Sequence, residues 1–243
     1  MRESHTVQCV EHGTRPATFV CQHLVTEFGA GFHWGTDPDE PDAWWPDAWC
    51  DDCERVLEQE GEWTPRALEA AGLRLLCDRC YEVARERNWN QDDEAFGALM
   101  RDALEYVRPR QEMLKTRFGL THYERYDWNS ETGRLVFSQD GRAQVIAEFQ
   151  FAGTVSTKAG TWLWSWANPS IPEASKERIR AIREHGEDRG YLKLAAACWV
   201  ADESDGWDMA ALVTYLLRAQ GIYRSPEDSG FSFLVLTDVQ RVQ

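Results

Sequence analysis

The sequence has no run approaching the roughly 18 to 20 apolar residues that span a bilayer, and its opening MRESHTVQCVEHG holds no apolar stretch like that of a secretory signal. The expectation is a cytosolic protein with no membrane partner. Also missing are a Gly-x-x-x-x-Gly-Lys loop, a Gly-x-Gly-x-x-Gly turn after a strand and a Gly-x-Ser-x-Gly elbow, so phosphate, dinucleotide and serine-hydrolase chemistry have no anchor. No His-Glu-x-x-His helix and no His-x-Glu followed by Pro-Cys-x-x-Cys occurs, which removes two common catalytic zinc patterns. Neither internal repeats nor heptads are present, excluding solenoids and coiled coils. Positive charge is scarce too: 26 Lys and Arg stand against 41 Asp and Glu, a net of -15, and residues 1 to 90 hold 18 acids against 8 bases. Such a field opposes nucleic acid and anionic membranes and suits a basic protein partner, although acid also simply keeps a chain soluble.

What the chain has is cysteine in an ordered pattern. Six of its seven cysteines precede residue 81, and they fall into four short pairs: Cys9 with His12, Cys21 with His23, Cys50 with Cys53, and Cys77 with Cys80. In a cytosolic chain this spacing points to metal before disulfide. Zinc takes four tetrahedral Cys and His ligands in structural sites, so these eight residues match two closed Zn2+ sites. A sequential arrangement groups Cys9, His12, Cys21 and His23 on one ion and Cys50, Cys53, Cys77 and Cys80 on the other. A crossed arrangement joins the first pair to the third and the second to the fourth; loop-closure cost, which grows slowly with length, does not separate the two. With all eight ligands used, a catalytic zinc with an open position is disfavoured. Glu11, Asp51 and Asp52 read as surface acids. The leftover Cys198 sits among apolar neighbours in AAACWV and reads as buried and inert, and His5 and His33 as surface residues.

Residues 1 to 90 read as an irregular and helical, zinc-stabilised module with a thin apolar core, in which each Cys-x2-Cys pair runs into a helix opened by its second cysteine. Residues 91 to 243 read as an α+β domain. Asn90 is placed as the cap of a helix bearing Phe96, Leu99, Met100, Ala103, Leu104 and Val107 on one face, ended or kinked near Pro109 and closed at Gly119 after a further stretch. Strands are expected at 122 to 128, 134 to 138, 143 to 151 and 160 to 167 as an antiparallel meander, with a last one in GFSFLVLTDVQRV. Helices are expected in PEASKERIRAIREHGE, ending near Gly186 with Ile179 and Ile182 inward, and in DGWDMAALVTYLLRAQG; LKLAAACWV is ambiguous between helix and strand. The fold class is therefore an antiparallel sheet flanked by helices.

In TWLWSWANPS, strict alternation puts Trp162, Trp164 and Trp166 on one face of an extended strand. That face is either sheet core or, with Asn168 at its end, a platform for a sugar or a protein partner.

Taken with RQEMLKTRFGL, GRLVFSQDGR and GIYRSPEDSGFSFLV, the TWLWSWANPSIPE segment makes residues from about 90 to 243 resemble a bacterial domain family of unknown function with a Trp-Leu-Trp-x-Trp-Ala-Asn strand. The resemblance covers about two thirds of the chain. It implies an α+β domain and brings no activity; the cysteine pairs look like an accessory zinc module attached to it. The leading expectation is a non-enzymatic, cytosolic, zinc-binding interaction protein, in its concrete form an immunity protein that masks a basic bacterial toxin. The alternatives are a small-ligand or sugar sensor using the tryptophan face and, behind it, a zinc-dependent hydrolase.

Overall fold

A computed structural model of the chain describes residues 6–37, 39–120, 123, 125–129, 132–227 and 230–242, the side chains of 226 and 227 excepted. His5, and His122 at the start of the strand expected at 122 to 128, lie outside the described residues. The chain divides into two compact units, Met1–Gln91 and Asp92–Gln243.

In the first unit the chain runs β1 (Thr6–Cys9), β2 (Gly13–Val20), α1 (Gln22–Thr26), β3 (His33–Gly35), β4 (Asp47–Trp49), α2 (Asp51–Glu60), α3 (Pro65–Ala71), β5 (Arg74–Cys77) and α4 (Asp78–Asn88). The expectation of loops and helices alone is corrected here: β1, β2, β4 and β3 lie side by side in that order, with β5 also paired to β2. These strands are three to eight residues long, too short for an alternating pattern to stand out. β2 is the hub. It pairs antiparallel with β1 and with β5, and parallel with β4.

Both Cys-x2-Cys pairs do open helices, yet the first cysteine of each, Cys50 and Cys77, is the extended N-cap residue, one step earlier than expected. Thr64 caps α3 through its hydroxyl ahead of Pro65, a favoured start because proline's missing N–H would be unpaired there anyway. The core gathers Val20, Leu24, Phe32, Ala48 and Tyr81 with the cluster cysteines Cys21, Cys50 and Cys53, and Trp34, Trp49, Trp63 and Trp89 pack against it. Trp34 and Trp89 stack at 5.2 Å. Large aromatics thus supply the apolar area that a thin aliphatic count conceals.

The second unit contains α5 (Asp93–Met113), β6 (Arg125–Asn129), β7 (Arg134–Gln139), β8 (Arg142–Ser156), β9 (Thr161–Trp164), α6 (Glu177–Arg189), α7 (Leu192–Ala195), β10 (Cys198–Val200), α8 (Glu203–Leu216), β11 (Gly221–Glu227) and β12 (Gly230–Arg241). It is α+β, an antiparallel sheet flanked by helices. β6 to β9 form the expected meander, with the first strand shifted to Arg125–Asn129 and β8 lengthened to Ser156. β12 then inserts along the free side of β8, and β11 pairs outside it. β11 was not foreseen; Pro226 inside GIYRSPE weakens its strand signal.

Asp92, not Asn90, caps α5, accepting from the Ala95 N–H, and the helix continues through Pro109 to Met113 before a π turn at Leu114–Phe118 and the stop at Gly119. Packing on α8 and β11 holds it across the proline, which forfeits one intrahelical bond. At the far end the Gln111 side-chain amide bonds both main-chain groups of Ile222 on β11: its Oε1 accepts from the N–H at 2.8 Å and its Nε2 donates to the C=O at 3.1 Å. α6 ends at Gly190, whose φ is 67°, and not at Gly186. Gly186 is interior because α7 lies against it: a Cβ there would meet Leu194 at 2.5 Å. LKLAAACWV turns out to hold both structures, α7 and then β10.

The sheet has two apolar faces. One carries Leu135, Phe137, Val145, Ala147, Phe149, Phe151, Leu234 and Leu236, covered by Leu114 and Phe118. It curls until Tyr126 on β6 meets Tyr223 on β11 at 5.5 Å between rings. The opposite face carries Trp162, Phe233 and Trp199, with Trp207 of α8 edge-on to Phe233 at 5.6 Å.

Candidate metal centres

The two ends of β2 each gather four ligands. The β1–β2 turn carries Cys9 and His12, and just past the other end stand Cys21, an extended residue before α1, and His23. β5 runs antiparallel to β2, with Cys77 opposite Ala17, so its exit into α4 delivers Cys77 and Cys80 back toward Cys9 and His12. β4 runs parallel, with Ala48 opposite Val20, so its exit into α2 delivers Cys50 and Cys53 to Cys21 and His23. The grouping is therefore nested: Cys9, His12, Cys77 and Cys80 form one cluster, and Cys21, His23, Cys50 and Cys53 the other. Neither the sequential nor the crossed arrangement is found. The directions of β4 and β5 along β2 decide it.

The atoms match a tetrahedral shell. Around Nδ1 of His12 the sulfurs of Cys9, Cys77 and Cys80 lie at 3.6, 3.5 and 3.6 Å, and Cys9 and Cys80 are 3.9 Å apart. Nδ1 of His23 is 3.5 Å from the sulfur of Cys50 and 3.4 Å from that of Cys53. Bonds of about 2.3 Å to sulfur and about 2.0 to 2.1 Å to nitrogen, set tetrahedrally, require edges of about 3.6 Å for N···S and about 3.8 Å for S···S. In each cluster all four ligand atoms fall within 4.8 Å of one another.

Crowding shows in the thiols. Backbone hydrogen bonds from His12 and Glu11 hold Cys9 down at about 6, whereas burial pushes Cys80 up to about 12. In the second cluster a hydrogen bond from Cys21 lowers Cys50 to about 5, the same bond and burial push Cys21 far up, and burial raises Cys53 to about 11. Three thiolates packed this closely repel one another. A dication resolves that conflict.

Side chains remote in sequence fix the ligand-bearing segments. Arg15 on β2 pairs bidentately with Asp78, its Nε 2.8 Å from Oδ1, locking β2 to the turn between Cys77 and Cys80. Asp78 is 2% exposed, so the pair is drier than a surface ion pair. Glu82 is buried beside it, its carboxyl raised by burial, with Trp45 Nε1 donating at 3.3 Å and Arg79 at 3.3 Å. For the second cluster, fully buried Asn88 donates to Leu24 C=O and Ala84 C=O at 2.9 Å each, and accepts from the Ala30 N–H at 3.1 Å. That clamps α1, which carries His23. Gly31, at φ 76°, lets the chain pass Asp51, whose carboxylate a Cβ would overlap and which bonds His33 Nε2 at 2.8 Å. Sequence reading missed Arg15, Asp78 and Asn88, because their partners lie roughly 60 residues away.

Glu11, Asp51 and Asp52 are exposed, as expected of surface acids. Cys198 is buried on β10 opposite Leu163. The tryptophan face is not open to a ligand: Trp162 and Trp164 are 0% exposed and Trp166 2%. Only Trp162 and Trp164 share β9, packed edge to face at 5.1 Å; Trp166 follows in a short 3-10 turn under Arg183, 4.5 Å away. Asn168 lies beyond that turn, its Oδ1 accepting from the Ser170 N–H and hydroxyl.

Residues 97–239, more than half of the chain, match the model of a family described as a family of unknown function (DUF6882). No curated protein and no solved structure matches the chain. The two Cys/His clusters lie outside the matched residues.

Proposed function

The chain belongs to that family of unknown function, and we propose that it is a non-enzymatic, cytosolic interaction protein whose N-terminal unit is built around two structural Zn2+ ions. The observation that carries this is the pair of closed clusters at the two ends of β2. Each supplies four Cys and His ligands at tetrahedral spacing, which leaves no open position for a reacting water. Zinc is the metal such a thiolate and imidazole set selects. Bound there, each ion supplies cross-linking: one ties the β1–β2 turn to α4, the other ties α1 to α2.

Purified protein should hold two zinc ions per chain. Removing them with a strong chelator should abolish the near-ultraviolet dichroism of the tryptophans packed around the second cluster, because metal-binding energy is folding energy in such small units. Protein that holds no zinc, or that keeps this signal after complete removal, overturns the reading.

The partner we propose is a basic protein, in the concrete case a bacterial toxin that this chain neutralises. Charge supports it: residues 1 to 90 carry a net of -10, and such a field speeds encounter with a basic surface. The partner, tested among the products of neighbouring genes with the tagged chain in its own host, should be basic and should bind more slowly as salt rises. If no basic neighbour binds, this form of the proposal fails.

A further inference from the structure

The curled face of the second unit is apolar row by row until its last rows. Tyr223, Leu234 and Phe151 lie side by side on β11, β12 and β8. Two residues further along β11 and β12, and three along β8 across a register shift, come Ser225, Ser232 and Thr154. Ser225 is 0% and Ser232 2% exposed, so hydroxyls occupy positions where the preceding rows place hydrocarbon. Burying a hydroxyl costs free energy unless it is bonded. Ser225 bonds the Tyr126 hydroxyl at 2.9 Å.

Thr154 and Ser232 of this row line a pocket of about 340 Å³. Trp128 and Phe151, edge to face at 5.4 Å, and Ile171 provide apolar walls, and Asn168 stands at the rim. Two hydrogen-bonding groups here remain unused among the described residues. The Thr154 hydroxyl has no partner, and the Asn168 amide is held through Oδ1 by Ser170, which leaves its Nδ2 hydrogens undirected to any protein group. None of the described lining residues is charged.

We propose that this pocket binds a neutral, hydroxylated six-membered ring, a pyranose sugar. The described lining residues offer no charge to an anion or a cation, and their hydroxyls disfavour a wholly apolar guest. A pyranose offers both halves of the match: a C–H face for the indole of Trp128 and hydroxyls for Thr154 and Asn168. Of the two readings of Trp162, Trp164 and Trp166 it is the core that holds, and the tryptophan proposed here for a sugar is Trp128 instead. The proposal stands independently of the metal centres.

Saturation-transfer NMR on the full, metal-loaded chain with glucose, galactose and N-acetylglucosamine tests it. At least one of the three should give a saturable signal strongest on its ring C–H protons. Thr154→Val, which keeps side-chain shape and removes the hydroxyl, should weaken that binding about tenfold. Trp128→Ala provides a second reading should the valine variant fold poorly, and should abolish the ring-proton signal. No saturable transfer from any of the three sugars overturns the proposal, as does transfer that survives unchanged in both variants.

Discussion

Gly97 and Gly206 both stand inside helices, α5 and α8, yet they carry opposite messages. A Cβ on Gly97 would meet nothing nearer than Arg101 at 3.5 Å, an ordinary contact. Gly97→Ala should therefore stabilise by about 0.5 to 1 kcal/mol through helix propensity alone. On Gly206 a Cβ would overlap the Phe233 ring and lie 2.8 Å from Val155, where α8 presses onto the sheet. Gly206→Ala should cost about 2 kcal/mol from overpacking. Thermal unfolding of the two variants reads both signs, and a Gly206→Ala protein as stable as the parent would contradict the close packing described. At this scale the membership of the two clusters can be read locally: all eight members come from four short Cys and His pairs, since a chelating turn is a local device. Asn88 was not. Its side chain ties α4 to α1 and to the Ala30 loop, contacts a linear sequence does not display.

Between elements, what decides the pairing of the clusters is strand direction. β4 and β5 both end in a cysteine knuckle, and only their parallel and antiparallel registers on β2 tell them apart. Hydrophobic periodicity over three or four residues is silent on direction, so both groupings drawn from sequence missed the nested one. The clusters also differ in cover. Cys21, Cys50 and Cys53 are at most 3% exposed, while in the other cluster His12 is exposed and Cys9 and Cys80 half-buried. Metal should leave in two phases under a chromophoric chelator, the Cys9 cluster emptying about tenfold faster or more, because a shallow site opens by a smaller local fluctuation. His12→Ala should remove the fast phase and leave the slow one. A single phase in the parent protein would refute this order.

For the chain as a whole, the α+β class and the meander of β6 to β9 were legible because β7 and β8 carry a clear strand pattern and turn signals separate β6, β7 and β8. The insertion of β12 beside β8 was not, since a long-range antiparallel pairing leaves no mark at either partner. Residues 92–243 hold the whole seven-stranded sheet and both of its apolar faces. Expressed alone, they should melt cooperatively and be indifferent to chelator, whereas the full chain should lose part of its structure. A fragment that fails to fold would show that this unit depends on the first.

The glutamine on α5 that occupies both main-chain groups of Ile222 has a consequence for assembly. An outermost strand is a template on which a second copy can add its own, the first step of runaway pairing. Here a side chain acts as one more residue of a strand that is not there, meeting donor and acceptor together. At that point of the sheet an incoming chain has to displace two bonds before it makes any, so growth into a filament is blocked there by a single amide.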